Sequence, residues 1–362
     1  MVEKRFCLVK LATIFLFILL TLSSLYSNPE IQLRIAASNI KISLAGNLIV
    51  TGSNGKALFQ LRRIEIVPGP FGIIINGRSS GESIIKILSS NLIEAGSRKF
   101  RKKIEIRQVD GKLSMYHALP MESYIAGVVA SELPGLWPIE TLKAQAIAAR
   151  TYAVWQKYKK EHLETTALDQ VYYGTQNEHP LAQQATQETA GLILTYESKP
   201  AHAYFHSSCG GNIASASEVF GTHEPYLRNN KCPYCYGSPP YFWNYKFSKR
   251  EFDRKLGSKI AEFNLVNRTK SSRMRDFAFS SYPLLKKTRT MYIRSKLGYD
   301  KLCSSLITKC TANWYSVEFS GRGYGHGVGM CQWGAREMAI LGKESIEILN
   351  FYYPNTLIKR FY

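Results

Sequence analysis

The chain has 362 residues, of which 45% are hydrophobic and 20% are charged, a composition typical of a globular protein that can bury a core. Its 47 Lys and Arg residues against 27 Asp and Glu residues give a net charge of +20. This excess favours a polyanionic neighbour such as nucleic acid, an anionic membrane face or an acidic cell-wall polymer. No period of about 20 to 50 residues recurs, which excludes a solenoid or repeat array.

The N-terminus has the order of a secretory signal. Basic residues precede the apolar run 11–22, and the small polar run SSLYSN follows it. The apolar-rich stretch 11–26 is short for a spanning helix, which needs about 20 residues, and it has no A-x-A cleavage site. We therefore expect export to the cell envelope or periplasm. Residues 1–28 act either as a cleaved signal peptide or as an anchor in the cytoplasmic membrane.

Residues 29–116 show the pattern of a β-rich N-terminal region. Short alternating segments such as NIKISLAG and KKIEIRQVDGKLSMY predict strands. Turns are predicted at residues 45–46, 53–55 and 110–111. The basic run 97–103 is expected to decorate a solvated strand or loop.

Helical patterns begin after this region. Pro120 suits the first turn of a helix that should end near Glu132, because Pro134 disfavours helical geometry at the residue before it. The segment 248–310 is polar and basic, and it reads as a peripheral insertion or small subdomain. The pattern predicts an α+β fold, and its other helices are expected from Pro138, over 180–190, over 332–341 and from 343 to before Pro354.

Residues 321–334, GRGYGHGVGMCQWG, carry glycine at every second position from 321 to 329. An extended segment would place Tyr324 and His326 on one face and bare backbone on the other, so a ligand or another backbone is expected to approach closely. The nucleotide motif GxGxxG would need glycine at 326 or 328, and no GK[ST] follows. The alternative is a glycine-rich turn that leads into a helix.

Glu132 is the first candidate for chemistry. A glutamate at the C-terminal end of a helix faces the negative end of the helix dipole, which predicts a raised carboxyl pKa. Apolar neighbours such as Leu133 and Trp137 predict partial desolvation, which acts in the same direction. A carboxyl that stays protonated near neutral pH can serve as a general acid. The alternative is a solvated glutamate that only marks the end of the helix.

A second candidate site is an HxxC pair, His206 and Cys209, followed by a CxxC pair, Cys232 and Cys235. Two such pairs can supply four tetrahedral ligands to a structural zinc ion. In an oxidising compartment, Cys209 can instead form a disulfide with Cys232 or Cys235, and the sequence leaves both options open.

The remaining cysteines lie later in the chain. Cys303 and Cys310 enclose a short loop and are expected to form a disulfide. Cys331, beside the glycine run, is then left unpaired. The alternative for Cys331 is a nucleophilic thiol that pairs with His326.

Three stretches together resemble the stage II sporulation protein D family, also called the SpoIID/LytB domain. They are YIAGVVASELPGLWPIETLKAQAIAARTYA (124–153), AYFHSSCGGNIASASEVFG (203–221) and GRGYGHGVGMCQWGAREMA (321–339), and DQVYYG (169–174) agrees with them. The resemblance covers about residues 115–350 in order. It implies a domain at 117–362 with a mixed, β-rich core and several helices around a glycan-binding groove.

The resemblance also implies peptidoglycan chemistry. Family members whose activity is understood are lytic transglycosylases that cut the bond between MurNAc and GlcNAc in glycan strands and leave 1,6-anhydro-MurNAc ends. The family's catalytic glutamate lies in an SE[LM]P motif and corresponds to Glu132. The groove is expected to contain Tyr324, His326 and Gln332 from the glycine-rich stretch, together with Arg150 from the first stretch.

Partners and departures follow from the same resemblance. The expected partner is the peptidoglycan glycan strand, and zinc is reported for some relatives. In the alternative reading, the chain is a non-catalytic wall-binding module that stimulates a cell-wall amidase, as in the LytB branch. Nucleic acid is not expected, because no nucleic-acid-binding module is recognised and the chain is expected to be exported. Cys331 stands where the family commonly has serine, and the segment 248–310 exceeds a minimal family domain.

Overall fold

The computed structural model describes residues 28–38, 41–134, 136–166, 169–257, 259–260, 262–281 and 284–362. The chain forms two compact units. Unit 1 consists of Met1–Glu132, Gln156–Ile193 and Lys359–Tyr362, and unit 2 consists of Leu133–Trp155 and Leu194–Ile358. The predicted signal or anchor lies outside the described residues, apart from Asn28. Among the helices of the described ranges, none is long and apolar enough to cross a membrane.

Unit 1 is built on one sheet. Its strands are β1 (Glu30–Ser38), β2 (Ile42–Thr51), β3 (Ala57–Val67), β4 (Ile74–Ile75), β5 (Arg78–Ser79), β6 (Ile84–Ala95), β7 (Arg98–Val109), β8 (Lys112–Pro120) and β9 (Leu163–Glu164). Their order is β5-β4-β3-β2-β6-β7-β8-β1-β9. Alternate apolar residues such as Phe100, Ile104 and Ile106 of β7 are wholly buried, as a sheet with one packed face requires. The structure confirms the predicted β-rich N-terminal region.

The turns of this sheet were predicted with mixed success. Residues 53–55 and 110–111 do form turns between strands, and Asp110 and Gly111 both have positive φ, as a tight hairpin requires. The turn predicted at residues 45–46 is wrong, because β2 continues through it. The pairing of β2 with β3 shifts register between Ala45 and Leu48, so Gly46 lies in a β-bulge. Glycine in an alternating segment is compatible with either feature, and its neighbours do not distinguish them.

Five of the eight helices of the described chain agree with predicted ones to within a few residues, and the mixed content of helices and strands confirms the α+β class. The helices Ala216–Val219, Lys249–Leu256 and Thr290–Leu297 were not predicted. The predicted end of the first helix at Glu132 is confirmed. The helices are α1 (Met121–Glu132), α2 (Ile139–Lys157), α3 (Pro180–Glu188), α4 (Ala216–Val219), α5 (Lys249–Leu256), α6 (Thr290–Leu297), α7 (Gln332–Ile340) and α8 (Ser345–Tyr352). Short 3-10 turns occupy Thr175–Asn177 and Pro233–Cys235.

The remaining strands form several small sheets. They are β10 (Leu192–Tyr196), β11 (Lys199–Pro200), β12 (Phe205–His206), β13 (Asn212–Ile213), β14 (Asn230–Lys231), β15 (Phe242–Ser248), β16 (Glu262–Arg268), β17 (Met274–Ser281), β18 (Leu284–Arg289), β19 (Ile307–Ala312), β20 (Ser316–Arg322), β21 (Met330–Cys331) and β22 (Leu357–Arg360). The sheet orders are β11-β10-β22, β15-β20-β19 and β16-β17-β18, with the pairs β12-β21 and β13-β14.

The basic segment 248–310 has its own apolar core. Helices α5 and α6 and sheet β16-β17-β18 pack through Phe252, Phe277 and Leu297 against Phe247 of β15 and Phe319 of β20. The segment is therefore fastened to the strand that leads into the glycine run. Its apolar residues come from many short elements, which explains why no single period is visible in the sequence.

Candidate functional site

Glu132 is the last residue of α1 and is half-buried. Its Oε1 accepts a hydrogen bond from the backbone N–H of Val171 at 3.0 Å. Earlier on the same helix, the hydroxyl of Tyr124 donates a hydrogen bond to Oε1 of Gln170 at 3.0 Å, and both side chains are wholly buried. These two contacts hold the segment before and at Val171 against α1, so the carboxyl of Glu132 has a defined orientation.

The segment that contains Gln170 and Val171 was matched in sequence as DQVYYG but was given no role there. Its first residue, Asp169, accepts hydrogen bonds from Nζ of Lys160 at 2.6 Å and from the backbone N–H of Glu164 at 2.7 Å. The segment is thus anchored at Asp169 and Gln170, and it presents the Val171 N–H to Glu132. Agreement of this segment with the family was the only sign in the sequence that it matters. Its contact with Glu132 could not be predicted, because a backbone N–H is present whatever the residue type.

The glycine run does not form an extended strand. Strand β20 ends at Arg322, and the four glycines at 323, 325, 327 and 329 have φ values of +78°, +108°, +85° and +70°. The predicted strand is wrong, and the alternative of a glycine-rich turn leading into a helix is confirmed, because α7 begins at Gln332. Left-handed backbone at every second residue is accessible to glycine and strained for other residues.

The predicted close approach to this run is confirmed, and the approaching group is backbone. Ser208 and Tyr324 exchange two backbone hydrogen bonds, at 3.0 and 2.8 Å. A Cβ added at Gly323 would lie 2.5 Å from the carbonyl oxygen of Ser208, and one added at Gly329 would lie 2.0 Å from that of Tyr204. The glycines therefore let residues 204–210 pack directly on the run.

His326 is a neutral framework residue. Its Nε2–H donates to the carbonyl oxygen of Phe205 at 2.8 Å, and its Nδ1 accepts from the N–H of Val328 at 3.1 Å. Burial lowers the pKa of His326 to about 3, although the hydrogen bond to Phe205 opposes this effect. Both ring nitrogens hold backbone, which leaves neither for proton transfer. By contrast, the side chain of Tyr324 is 38% exposed and can meet a ligand.

The other two predicted groove residues are buried in unit 2. Gln332 donates through Nε2 to Oε1 of Gln145 at 3.4 Å, and Arg150 donates through Nη1 to the carbonyl oxygen of Ala146 at 3.4 Å. Their roles as substrate-binding residues stay predictions. Glu132 belongs to unit 1, whereas Tyr324 and the other three groove residues belong to unit 2.

Four buried thiols meet in unit 2. The Sγ atoms of Cys209, Cys232, Cys235 and Cys331 all lie within 4.8 Å of one another. Four sulfurs bound tetrahedrally to one zinc ion at about 2.3 Å would be separated by roughly 3.8 Å, so the spacing fits such an ion. Hydrogen bonds from Cys209 and then Cys232 lower the pKa of the Cys235 thiol far below its ordinary value. The hydrogen bond with Cys232 raises the pKa of Cys209, and burial raises the pKa of Cys331. Without a metal ion, Cys235 is therefore the thiol of the cluster that most favours the thiolate, the form that binds metal.

The predicted disulfides are wrong in this structure, because all six cysteines of the described chain are free thiols. The sulfurs of Cys209 and Cys235 lie 3.4 Å apart, well beyond bonding distance. The thiol of Cys303 donates to the carbonyl oxygen of Asp300 at 3.3 Å, and Cys310 lies on β19.

The ligand set also differs from the predicted one, because Cys331 joins the three predicted cysteines and His206 stays outside the cluster. Nδ1 of His206 lies 3.0 Å from the carbonyl oxygen of Val328, so this ring donates to backbone. The sulfur of Cys331 accepts backbone N–H groups of Cys209 at 3.2 Å and Gly334 at 3.4 Å. Such donors stabilise negative charge on sulfur. Cys331 was missed because it is distant in sequence and belongs to no Cys-x-x-Cys pair.

Arg273 is a buried cation beside this cluster, with 2% of its surface exposed. Its Nη2 donates to the carbonyl oxygens of Cys209 at 2.9 Å and Asn212 at 3.1 Å, while its Nε and Nη1 have no hydrogen-bond partner in the described ranges. Burial lowers the pKa of Arg273, and the charge of the nearby Cys209 thiol opposes that shift. A buried cation is costly without negative charge nearby. A divalent ion on four thiolates carries a net charge of −2, so this arginine fits a metal-bound cluster.

Known proteins have sequences similar to that of this chain. Residues 109–196 match the family model described as Stage II sporulation protein. The chain is 34% identical over 259 residues to the stage II sporulation protein D of Bacillus subtilis (strain 168), a match that covers 66% of this chain and 74% of that protein. The chain belongs to the stage II sporulation protein D family.

Two further relatives widen the comparison for this family member. The stage II sporulation protein D of Bacillus amyloliquefaciens is 34% identical over 254 residues, covering 65% of this chain and 73% of that protein. A Bacillus subtilis (strain 168) protein named Amidase enhancer is 29% identical over 289 residues, covering 65% of this chain and 40% of that protein. The stage II sporulation family model spans α1 to α3, so it includes Glu132 and Val171 but not the four-thiol cluster.

Proposed function

We propose that this protein is a peptidoglycan lytic transglycosylase that acts on glycan strands of the cell wall. Glu132 gives its proton to the oxygen that links MurNAc to GlcNAc, and the bond from that oxygen to the anomeric carbon breaks. The muramyl C6 hydroxyl then attacks the same carbon and returns its proton to Glu132, which leaves a 1,6-anhydro-MurNAc end. The observation that best supports this proposal is the position of Glu132, which lies at the end of α1 and accepts a hydrogen bond from the Val171 N–H through one carboxyl oxygen.

A single carboxyl is sufficient for this reaction. Most glycosidases need a second carboxylate to activate water or to form a covalent intermediate. Here the nucleophile belongs to the sugar that is being cut, so it is delivered without a second catalytic group. The net charge of +20 suits a wall polymer that carries carboxylates.

We also propose that Cys209, Cys232, Cys235 and Cys331 hold one structural zinc ion. Four protein ligands leave no open position for water or substrate, so the ion supplies cross-linking and no chemistry. It would fasten the start of α7 to the segments that carry Cys209 and the Pro233–Cys235 turn. The glycine run ends just before Cys331 and packs against the segment that carries Cys209, so the ion would hold the run at both places.

The test is digestion of purified glycan strands by the wild-type protein and by Glu132→Gln, with the products weighed by mass spectrometry. We expect 1,6-anhydro ends from the wild type and a loss of about 10²- to 10⁴-fold in the variant, the usual contribution of a general acid. Glu188→Gln is the matched control, because Glu188 also ends a helix in unit 1 but is exposed. Its activity should equal that of the wild type.

The relative named Amidase enhancer supports a second candidate function, a wall-binding module that stimulates an amidase without cutting glycan. If the wild type yields no anhydro ends between pH 4 and pH 9 but accelerates an added cell-wall amidase, this second function replaces the first.

A further inference from the structure

The turn between strands β19 and β20 of unit 2 carries two adjacent exposed aromatic residues. Trp314 is 92% exposed and Tyr315 is 85% exposed, so the rest of the protein covers almost none of either side chain. In folded proteins such side chains usually bury about 150 to 250 Å² each. Two of them side by side in solvent are typical of a surface that contacts a partner or a membrane.

Hydrogen bonds hold this turn in one conformation. Oδ1 of Asn313 accepts the backbone N–H groups of Tyr315 and Ser316, both at 2.9 Å, and the hydroxyl of Ser316 at 3.3 Å. The N–H of Asn313 also donates to the carbonyl oxygen of Ser316 at 2.9 Å. The two aromatic side chains are therefore carried on an ordered backbone, so little conformational entropy is lost when they bind.

A basic helix begins beside the turn. The carbonyl oxygen of Tyr315 accepts the N–H of Lys249, the first residue of α5, at 2.8 Å. Phe252 of this helix is 1% exposed and packs into the core of the segment. Arg250 and Arg254 each lie about 200° around the helix from Phe252, because successive residues are about 100° apart. Both arginines are exposed, so the outer face of α5 carries two cations next to the turn.

The carboxylates of α5 leave these two cations without compensation. Glu251 forms a salt bridge with Lys301 at 3.0 Å, and Asp253 forms one with Lys249 at 2.7 Å. Neither arginine of the outer face forms an ion pair with another residue that the structure describes. The segment 248–310 as a whole has 16 Lys and Arg residues against 5 Asp and Glu residues, a net charge of +11 out of +20. Its surface therefore attracts anions.

The shape and chemistry of this surface distinguish between anionic partners. A soluble sugar or peptide is usually held in a concave site, whereas the rings of Trp314 and Tyr315 project into solvent. Tryptophan and tyrosine are enriched where proteins meet the interface between membrane and water, and basic residues beside them attract anionic headgroups. A polyanion without an apolar layer would contact the arginines but would not bury the rings. The combination favours an anionic lipid bilayer.

We propose that the turn with Trp314 and Tyr315 and the outer face of α5 together dock unit 2 on the surface of an anionic lipid bilayer. The two rings enter the interfacial layer, and Arg250 and Arg254 contact lipid phosphates. This contact uses neither the N-terminal apolar run nor Glu132, so it goes beyond the proposed function and does not depend on it.

The test is quenching of Trp314 fluorescence by vesicles of phosphatidylglycerol mixed with phosphatidylcholine that is brominated near the top of its acyl chains. The full chain is used. Residues 1–28 contain no tryptophan, so vesicle binding through that segment alone does not quench Trp314. Trp314→Phe keeps a ring in the turn, and subtracting its emission from that of the wild type gives the signal of Trp314. We expect this signal to shift to shorter wavelength and to lose most of its intensity. Tyr315→Ser should reduce the quenching.

Charge variants test the contribution of α5. Each basic residue near an anionic surface strengthens binding about fivefold, so Arg250→Gln combined with Arg254→Gln should lower the ratio of quenched to unquenched Trp314 emission about 25-fold. Arg62→Gln combined with Arg63→Gln is the matched control. It removes two exposed cations from β3 of unit 1 and should be quenched as the wild type is. Circular dichroism checks that every variant is folded.

The proposal is overturned if brominated anionic vesicles leave Trp314 emission unchanged, or if vesicles of brominated phosphatidylcholine alone quench it as strongly. It is also overturned if the two double variants behave alike. A shift of Trp314 emission with soluble poly(glycerol phosphate) but not with vesicles would assign the surface to an anionic wall polymer instead. None of these outcomes requires glycan cleavage, so this proposal and the proposed function fail independently.

Discussion

Arg273 and Cys331 show how single residues specify the chemistry of the thiol cluster. The guanidinium is buried with two unpaired donor groups, and the negative charges that act on it come first from the thiol of Cys209 and then from the carboxylate of Glu218. Four thiolates around a divalent ion would add negative charge beside this cation, in addition to the charge of Glu218. Both residues therefore fit a cluster that binds a metal ion.

The ligand set can be tested by metal analysis of purified protein. We expect about one zinc ion per wild-type chain, and a loss of zinc affinity of at least about 100-fold in Cys331→Ser, because one of four thiolates is removed. His206→Gln should retain zinc, since the ring of His206 bonds to Val328 and lies outside the cluster. Cys310→Ser is the thiol control and should also retain zinc. Zinc loss in His206→Gln with retention in Cys331→Ser would restore the ligand set expected from sequence.

The sequence predicted those site residues that belong to local patterns, and it missed those that are distant from one another along the chain. The position of Glu132 at the end of a helix was predictable because Pro134 marks that end, and its catalytic role stays a prediction. Cys232 and Cys235 were reachable because a Cys-x-x-Cys pair is a local pattern. Cys331 and Arg273 come close to Cys232 and Cys235 only when unit 2 folds, and no local sequence pattern predicts that proximity.

At the scale of elements, the glycine run is a set of left-handed turns that lets the backbone of residues 204–210 pack directly against it. Two features can exclude a side chain at a glycine: a positive φ, and neighbouring atoms that would clash with a Cβ. At Gly329 both apply, because φ is +70° and a Cβ would lie 2.0 Å from the carbonyl oxygen of Tyr204. At Gly342 only the first applies, since φ is +82° and nothing lies within 4 Å of the added Cβ.

This pair allows the two costs to be separated by alanine substitution. Gly342→Ala should lower the free energy of unfolding by about 1 kcal/mol, the cost of the backbone conformation. Gly329→Ala should lower it by about 3 kcal/mol or more, because strand segment 204–206 must also move. Urea denaturation followed by circular dichroism measures both values. Equal losses in the two variants would show that close packing at residue 329 contributes nothing.

The elements themselves were largely predictable where local rules act alone. Proline positions and apolar periodicity placed α1, α3 and α7 correctly. The alternation of glycine with larger residues at 321–329 predicted a strand, because period-two patterns also describe strands. The structure uses the same period for repeated left-handed turns, and φ is set by packing against residues 204–210, which the pattern does not contain.

At the scale of the whole chain, each unit contains a histidine kept neutral by burial. His117 of unit 1 and His326 of unit 2 have pKa values lowered from 6.5 to about 4 and about 3, and desolvation is the larger cause in both. Each ring is held by backbone carbonyl groups in a single tautomer. The two units thus share one sensitivity to acid, although their folds and roles differ.

This sensitivity predicts the pH dependence of stability. Because the folded pKa is depressed, the unfolded chain binds more protons below pH 6.5, so stability is complete above that value and falls as pH decreases toward the folded pKa. Between pH 7 and pH 5 each histidine should remove about 2 kcal/mol from the free energy of unfolding. Most carboxyl groups titrate below this window, which isolates the histidines. Urea denaturation at pH 7, 6 and 5 gives the slope, and His117→Phe should reduce it by the share of one histidine. A variant slope equal to that of the wild type would mean that His117 is protonated in the folded protein at pH 5.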